Sequence, residues 1–286
     1  MQSYTSARVL ITGATGFIGT AMLSRLRTKP VQICAAVRRT LMRPFPTFEV
    51  GEINEDTDWS SALRGIDAVV HLAAYAHVTS KRKVDHAVLK KTNVEGTANL
   101  ARQAAQIGVR HFIFLSSIGA VADSSGHLLT AASPCHPTTA YGASKLEAEK
   151  AIKEEAAKNG MEWTILRPPL VYGAGNPGNM KRLLKLLHSG IPLPLASVRN
   201  RRSFIYVENL TDVIATCLSN PKAFGKTFLP SDGVDLSTAE LIEKIARASA
   251  SVEENGRLKT GNGSATRHAS LGCSNGMDPS PLRSGS

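Results

Sequence analysis

Short apolar runs alternate with longer amphipathic segments through the first 168 residues. "RVLIT" (Arg8 to Thr12) runs straight into a glycine and predicts a buried strand. Phe17 to Arg27 repeats its apolar positions at helical spacing and stops before Pro30. "VQICAAV" (Val31 to Val37), "TFEV" (Thr47 to Val50) and "DAVVHLAA" (Asp67 to Ala74) predict three further strands. A long helical pattern covers Asn93 to Gly108, and "RHFIFLSS" (Arg110 to Ser117) predicts a fifth strand. A polar loop then leads to a helix opened by Tyr141, and "EWTILRP" (Glu162 to Pro168) predicts a sixth strand. Strands alternating with helices of this length imply an α/β fold, a Rossmann-type doubly wound parallel sheet with helices on both faces.

After Pro168 the alternation turns irregular. Asn179 to Gly190, Val207 to Asn220 and Ser237 to Ser249 predict helices, the last with a capping-box start in which Ser237 precedes Glu240 by three. From residue 251 the pattern ends. Residues 251–286 hold six Gly and seven Ser, no Ile, Phe, Tyr or Trp, and no apolar period, which predicts disorder. The expected organisation is a main α/β domain over 1–168, a small interleaved lobe over 169–250 that looks truncated, and an atypical tail over 251–286.

Charge narrows the partners. The net charge is +11, and the tail contributes four Lys/Arg and three Asp/Glu, so about +10 lies on residues 1–250. Basic clusters stand at Lys81-Arg82-Lys83, Lys181-Arg182 and Arg199 to Arg202. No zinc-finger, RNA-recognition or helix-turn-helix signature accompanies them, and aromatics are only 5%. Phosphorylated small molecules, not nucleic acid, are the expected partners. Cys34, Cys135, Cys217 and Cys273 form no C-x-x-C pair and no metal spacing, which suits a reducing compartment and predicts no metal. No apolar run reaches the ~18 residues of a membrane span. Val9 to Leu23 carries three glycines and no signal-peptide cleavage pattern. A cytoplasmic location is expected.

"TGATGFIG" sets Gly13, Gly16 and Gly19 between the first strand and the first helix. Glycines there permit a tight turn, let backbone N–H groups approach a pyrophosphate, and pack helix on strand. With Phe17 and Ile18 they form a candidate cofactor loop at a helix N-terminus. The end of the second strand bears on the choice of dinucleotide. Between Thr20 and Phe48 there is no Asp or Glu, and the strand runs into Arg38 and Arg39. A guanidinium suits a 2′-phosphate, so the expected cofactor is NADP in preference to NAD.

"TTAYGASKLEAE" (Thr138 to Glu149) sets Tyr141 four residues before Lys145, on one face if the segment is helical. Alone, that pair says little. Together with "LITGATGFIG", "HLAA", "TNVEGT", "FIFLSS", "LRPPLVYG" and "RRSFIYVENL" it resembles the extended short-chain dehydrogenase/reductase family. The likeness is to its nucleotide-sugar epimerases, dehydratases and 4-ketoreductases over most of Arg8 to Ser249. The resemblance implies that Tyr141 and Lys145 are catalytic, with Ser117 (or its neighbour Ser116) orienting the same sugar oxygen. Lys145 would also hold the nicotinamide ribose, and its ammonium together with a positively charged nicotinamide would lower the phenol pKa. Ala73 and Ala74 would wall the cofactor, Pro168 and Pro169 would approach the carboxamide, and Asn93 would be structural. Asn179 and Arg202 would contact the substrate diphosphate.

Two positions depart from the family pattern. Ile118 and Gly119 follow Ser117 where dehydratases carry an Asp-Glu pair, so elimination of water is not expected. Glu52 stands after Gly51 where an adenine-side Asp is usual. The expected activity is NAD(P)-dependent oxidoreduction at C4 of a UDP-sugar, foremost reduction of a UDP-4-keto-6-deoxy-N-acetylhexosamine in surface-polysaccharide synthesis. A C4 epimerase that retains NAD is the alternative, and an inactive nucleotide-binding module a third. A homodimer through the two long helices is what the family resemblance implies.

Overall fold

The computed structural model describes residues 7–39, 44–76, 85–176, 200–245 and 247. Of these, 7–176 and 202–235 form one compact unit, while 200–201 and 236–247 belong to a second. The expected tail and the whole of the expected Asn179–Gly190 helix, Asn179 included, lie outside the described residues.

The first unit is built on strands β1 (Arg8–Thr12), β2 (Gln32–Val37), β3 (Thr47–Glu49), β4 (Ala68–His71), β5 (His111–Leu115), β6 (Glu162–Leu166) and β9 (Lys226–Phe228). They form one sheet in the order β3-β2-β1-β4-β5-β6-β9, every neighbouring pair parallel. The six strands expected from the sequence are all present. Two more, β7 (Leu170–Tyr172) and β8 (Phe204–Tyr206), pair in parallel as a separate ribbon.

Each central strand is apolar on both sides because each side meets helices. Val9, Ile11, Ile113 and Leu115 enter one core with Met22 and Leu26 of α1 (Phe17–Leu26) and Leu210 and Ile214 of α6 (Val207–Ser219). Leu10, Phe112 and Phe114 point the other way, into a second core. There they meet Trp59, Leu63 of α2 (Ser60–Leu63), Leu100 of α4 (Gly96–Gln106) and Ile152 of α5 (Ala140–Asn159). Strand period 2 thus sorts neighbouring residues into two cores.

Before α4 the helical path differs from the regular helix expected over Asn93–Gly108. A short α3 (His86–Leu89), capped by the Asp85 carboxylate, passes into a π-helical stretch, Lys90–Glu95. Such bulges recur at functional sites, and this one turns Asn93 inward. In the second unit, residues 238–245 are helical and begin with the expected capping box. Ser237 N–H donates to Glu240 Oε2 at 2.7 Å and Glu240 N–H to Ser237 Oγ at 3.1 Å. Among the described residues no helix is long and apolar enough to cross a membrane.

Candidate active site

Strand order reverses between β1 and β4, and in open parallel sheets ligands bind at the carboxyl ends of strands beside that point. Thr12 pairs in register with His71, His71 with Phe114, and Leu115 with Leu166, so these four strands end level. The glycine loop, Ala73, Ser117 and Pro168 all follow from those ends.

Gly13 has φ +66°, and a Cβ there would sit 2.7 Å from Ala73 N. A Cβ on Gly19 would run into the Gly13 carbonyl oxygen. Only glycine allows loop, helix and β4 backbone to approach this closely. Gly16 is the N-cap of α1, with no side-chain cap and no acidic residue in the first turn. Its uncapped N–H groups and partial positive charge fit an anion. A cleft of about 960 Å³ opens beside Thr15, Gly16 and Phe17, walled by Ala174, Gly175, Tyr206 and Glu208. Tyr141, Lys145 and Ser117 do not line it. The loop, with Ala73 and Ala74 half-buried beside it, therefore has the backbone chemistry for a dinucleotide pyrophosphate.

Tyr141 and Lys145 stand in the first two turns of α5. Lys145 is buried; its Nζ donates to the Leu115 carbonyl at 2.8 Å and lies 4.5 Å from the Phe114 ring centre and 5.9 Å from that of Tyr141. Burial brings the ammonium pKa down to about 7, against the upward pull of Glu149. The Tyr141 phenol is pushed up to about 12, also by burial. In the protein alone loss of water dominates the phenol, and the expected lowering, which drew on the ammonium and a charged nicotinamide together, would have to overcome it. His71, buried beneath, is held neutral with a pKa near 3 by burial and by Lys145. Thr12 Oγ1 accepts from Ala73 N–H at 3.2 Å, which leaves its proton for His71 Nδ1 at 2.6 Å, and His71 Nε2 faces Thr97 Oγ1 at 2.9 Å. This network assigns the imidazole proton to Nε2.

Two serines with similar sequence claims separate. Ser116 is buried and its hydroxyl donates to Glu149 Oε1 at 2.5 Å, so it is occupied. The Ser117 hydroxyl accepts from Gly119 N–H at 3.1 Å and caps the 3-10 turn Ile118–Ala120, and among the described residues no acceptor takes its own proton. A Cβ on Gly142, beside Tyr141, would collide with the Gly119 carbonyl, so the start of α5 rests directly on that turn. Asp123 fastens the same junction. Its Oδ2 accepts from Thr138 Oγ1 (2.6 Å), Thr138 N–H (3.0 Å) and Thr139 N–H (3.1 Å), and its Oδ1 from Thr139 Oγ1 (3.0 Å). Thr139 in turn caps α5 through Gly142 N–H. Asn93 grips the Tyr75 backbone at both N–H (2.7 Å) and C=O (3.1 Å) and donates to Ser144 Oγ at 3.1 Å.

The structure thus brings together Gly13, Gly16, Phe17, Ile18, Gly19 and Ala73 around one loop, and Ser117, Tyr141 and Lys145 around the β5–α5 junction. Pro168 joins the second group: it is buried, and its carbonyl accepts from Ile118 N–H at 2.9 Å. Arg38 is exposed at the end of β2, Glu52 is exposed after β3, and Arg202 is exposed ahead of β8. Sequence reading did not single out Asp123, Glu149 or Arg167. Glu149, a helical turn after Lys145, was the one with a spacing signal.

The model of the NAD dependent epimerase/dehydratase family matches residues 9–228. A UDP-glucose 4-epimerase of Vibrio cholerae is 41% identical over 246 residues, covering 84% of this chain and 75% of that protein. An N-acetyl-alpha-D-glucosaminyl-diphospho-ditrans,octacis-undecaprenol 4-epimerase of Escherichia coli O157:H7 is 30% identical over 243 residues, covering 84% and 72%. Among solved structures, the Thermus thermophilus UDP-glucose 4-epimerase complex with NAD aligns with TM-score 0.71 at 23% identity, over 85% of this chain and 83% of that one. The UDP-N-acetylglucosamine 4-epimerase from Bacillus cereus aligns with TM-score 0.74 at 22% identity, over 85% and 82%. At such identity the structural likeness speaks for the fold. The NADP preference expected from Arg38 finds no support in a family described as NAD dependent.

Proposed function

The chain belongs to the NAD dependent epimerase/dehydratase family of enzymes, and on that premise we propose that it is a UDP-sugar 4-epimerase that retains NAD. The observation that carries this reading is the junction of β5 and α5: a half-buried Tyr141 over a buried Lys145, meeting Ser117 at the strand ends that hold the glycine loop. Relatives named as 4-epimerases at 41% and 30% identity support the substrate class.

In this reading Gly13, Gly16, Phe17, Ile18, Gly19 and Ala73 would hold the pyrophosphate, and Pro168 would border the nicotinamide. When bound, NAD would supply the hydride acceptor and donor for the sugar C4. Ser117 donates a hydrogen bond to the C4 oxygen and holds it in reach of the phenol. Tyr141 takes the proton from that oxygen and gives it back, a general acid–base role for which a group must sit within hydrogen-bond reach. Lys145 stands under the phenol, fixed by the Leu115 carbonyl, and its positive charge favours the phenolate. Ile118 and Gly119 leave no carboxyl group after Ser117 to eliminate water, which favours epimerisation over dehydration.

Arg38 and Arg39 favour a second reading, an NADP-using reductase of a UDP-4-keto sugar. One experiment separates the two. The purified protein is denatured, released nucleotide is identified by mass spectrometry, and native protein is incubated with UDP-glucose and with UDP-N-acetylglucosamine without added cofactor. Stoichiometric NAD and formation of the C4 epimer support the epimerase. No bound nucleotide, no epimer, and turnover of a 4-keto sugar only with added NADPH support the reductase. Tyr141→Phe is expected to lower turnover about 10²–10⁴-fold, the usual worth of a general acid–base group, with bound NAD unchanged. Unchanged turnover in that variant refutes the assignment.

A further inference from the structure

Three buried polar groups near the site have no part in the mechanism above: Ser116, Glu149 and Arg167. Glu149 accepts from Arg167 Nε at 3.0 Å and Nη2 at 2.6 Å, as well as from Ser116 at 2.5 Å. The side chains of Arg167 and Glu149 are 5% and 1% exposed. A buried pair contributes little net stability, because stripping water from two charges costs about what their attraction returns. Its placement suggests another use.

Each member comes from a different segment of the site. Ser116 immediately precedes Ser117 at the end of β5. Arg167 immediately precedes Pro168, whose carbonyl holds Ile118 N–H. Glu149 lies one helical turn beyond Lys145 on α5, so the two side chains share a face, with Cβ atoms about 5–6 Å apart. The carboxylate is the fixed negative charge that faces the buried ammonium.

We propose that Glu149, clamped by Arg167 and Ser116, is a positioning residue for Lys145: it holds the buried lysine as a cation beneath Tyr141. The inference rests on the epimerase reading for its catalytic consequence, but not for its physical one. The titratable and charged groups around Lys145 are Tyr141 and Glu149 on α5, His71 on β4 and Arg167 at the end of β6. Glu149 is the one whose charge raises the lysine pKa against burial. His71, held neutral down to about pH 3, supplies none in the working range.

The test is Glu149→Gln, which keeps an acceptor for Ser116 and removes the charge. An opposite charge at such range shifts a pKa by about one unit or more. Two readouts follow. The alkaline limb of turnover, where Lys145 loses its proton, is expected to move down by about one unit. Turnover at pH 8 then falls about tenfold relative to wild type, with KM and bound NAD unchanged. Independently, the denaturation midpoint of wild type rises with pH from near 7 as Lys145 deprotonates, and in the variant that rise is expected to begin about one unit lower. If the midpoint curve moves and no epimerase activity exists in wild type, the positioning inference stands and the functional reading fails. If neither curve moves, the inference is overturned.

Should Glu149→Gln not fold, Glu149→Asp takes its place. It keeps the charge but is too short for the bidentate Arg167 contact. Turnover reduced about tenfold with KM unchanged supports a positioning role, and wild-type turnover refutes it.

Discussion

Replacing Lys145 with Met separates what this residue does for folding from what it does for chemistry. Burial lowers the lysine pKa from 10.5 to about 7. At 1.36 kcal/mol per unit, holding the ammonium in the fold costs about 5 kcal/mol wherever the unfolded lysine is charged. With the residue only 2% exposed, solvent does little to screen this. The sign follows from proton binding. The folded state holds the proton more weakly, so the penalty is fully present below pH 7. It shrinks as pH rises from about 7 to 10.5 and is gone above. Met at this position avoids the penalty at every pH but leaves the Leu115 carbonyl without its 2.8 Å donor, a loss of about 1–3 kcal/mol.

Lys145→Met is therefore expected to be more stable than wild type by about 2–4 kcal/mol at pH 6, the difference of those two magnitudes. It should be level or less stable at pH 10, and inactive throughout. Urea unfolding midpoints at pH 6, 8 and 10 and fixed ionic strength measure this directly. Tyr141 and Cys217, whose pKa values burial raises to about 12 and about 11, titrate in both proteins and cancel in the difference to first order. A gap that does not change with pH, or a variant less stable at pH 6, would falsify the account of Lys145 as a charge held against burial.

Other variants probe the frame around it. Gly19→Ala drives a Cβ into the Gly13 carbonyl and is expected to cost about 1–3 kcal/mol and to strip NAD from the purified protein, read by absorbance after denaturation. Arg167→Met leaves Glu149 buried without its partner and is expected to lose about 3–5 kcal/mol. Arg167→Met with Glu149→Met should recover much of that loss in thermal melts, since an apolar pair avoids the unpaired charge. Asp123→Ala frees Thr138 and Thr139 at the start of α5. Its kcat is expected to fall about tenfold or more, because small displacements of an oriented group are costly, while bound NAD stays at the wild-type level.

Much of the fold was legible in local pattern. Six strands were found in place because runs such as Leu10–Ile11 and Phe112–Phe114 are apolar on both sides, a mark of a parallel sheet between two helical layers. The glycine loop was legible because its spacing is local and Gly19 answers a clash with Gly13 itself, whereas the close approach at Gly13 comes from Ala73, beyond β4 and distant in the chain. The capping box at Ser237 and Glu240 was found as expected, since its partners lie three residues apart. Strands β7, β8 and β9 were not legible: they lie where the strand–helix alternation has ended, and each is defined by a partner distant in the chain, β7 by Phe204–Tyr206 and β9 by Leu166 pairing with Phe228.

At the site, sequence supplied residue types and spacing, and Tyr141 and Lys145 share a helix face as their separation required. Their charge states came from elsewhere. Whether Lys145 is a solvated ammonium or a buried one near pH 7 depends on Leu115, Phe114 and His71, which lie 30 or more residues away in the chain. The division between Ser116 and Ser117 likewise depends on Glu149, which occupies one hydroxyl and leaves the other. Local sequence determines which backbone shapes are cheap and which faces are apolar, because those terms act within a few residues. Desolvation and charge pairing act between segments that only folding brings together, and so the tertiary structure alone decided them.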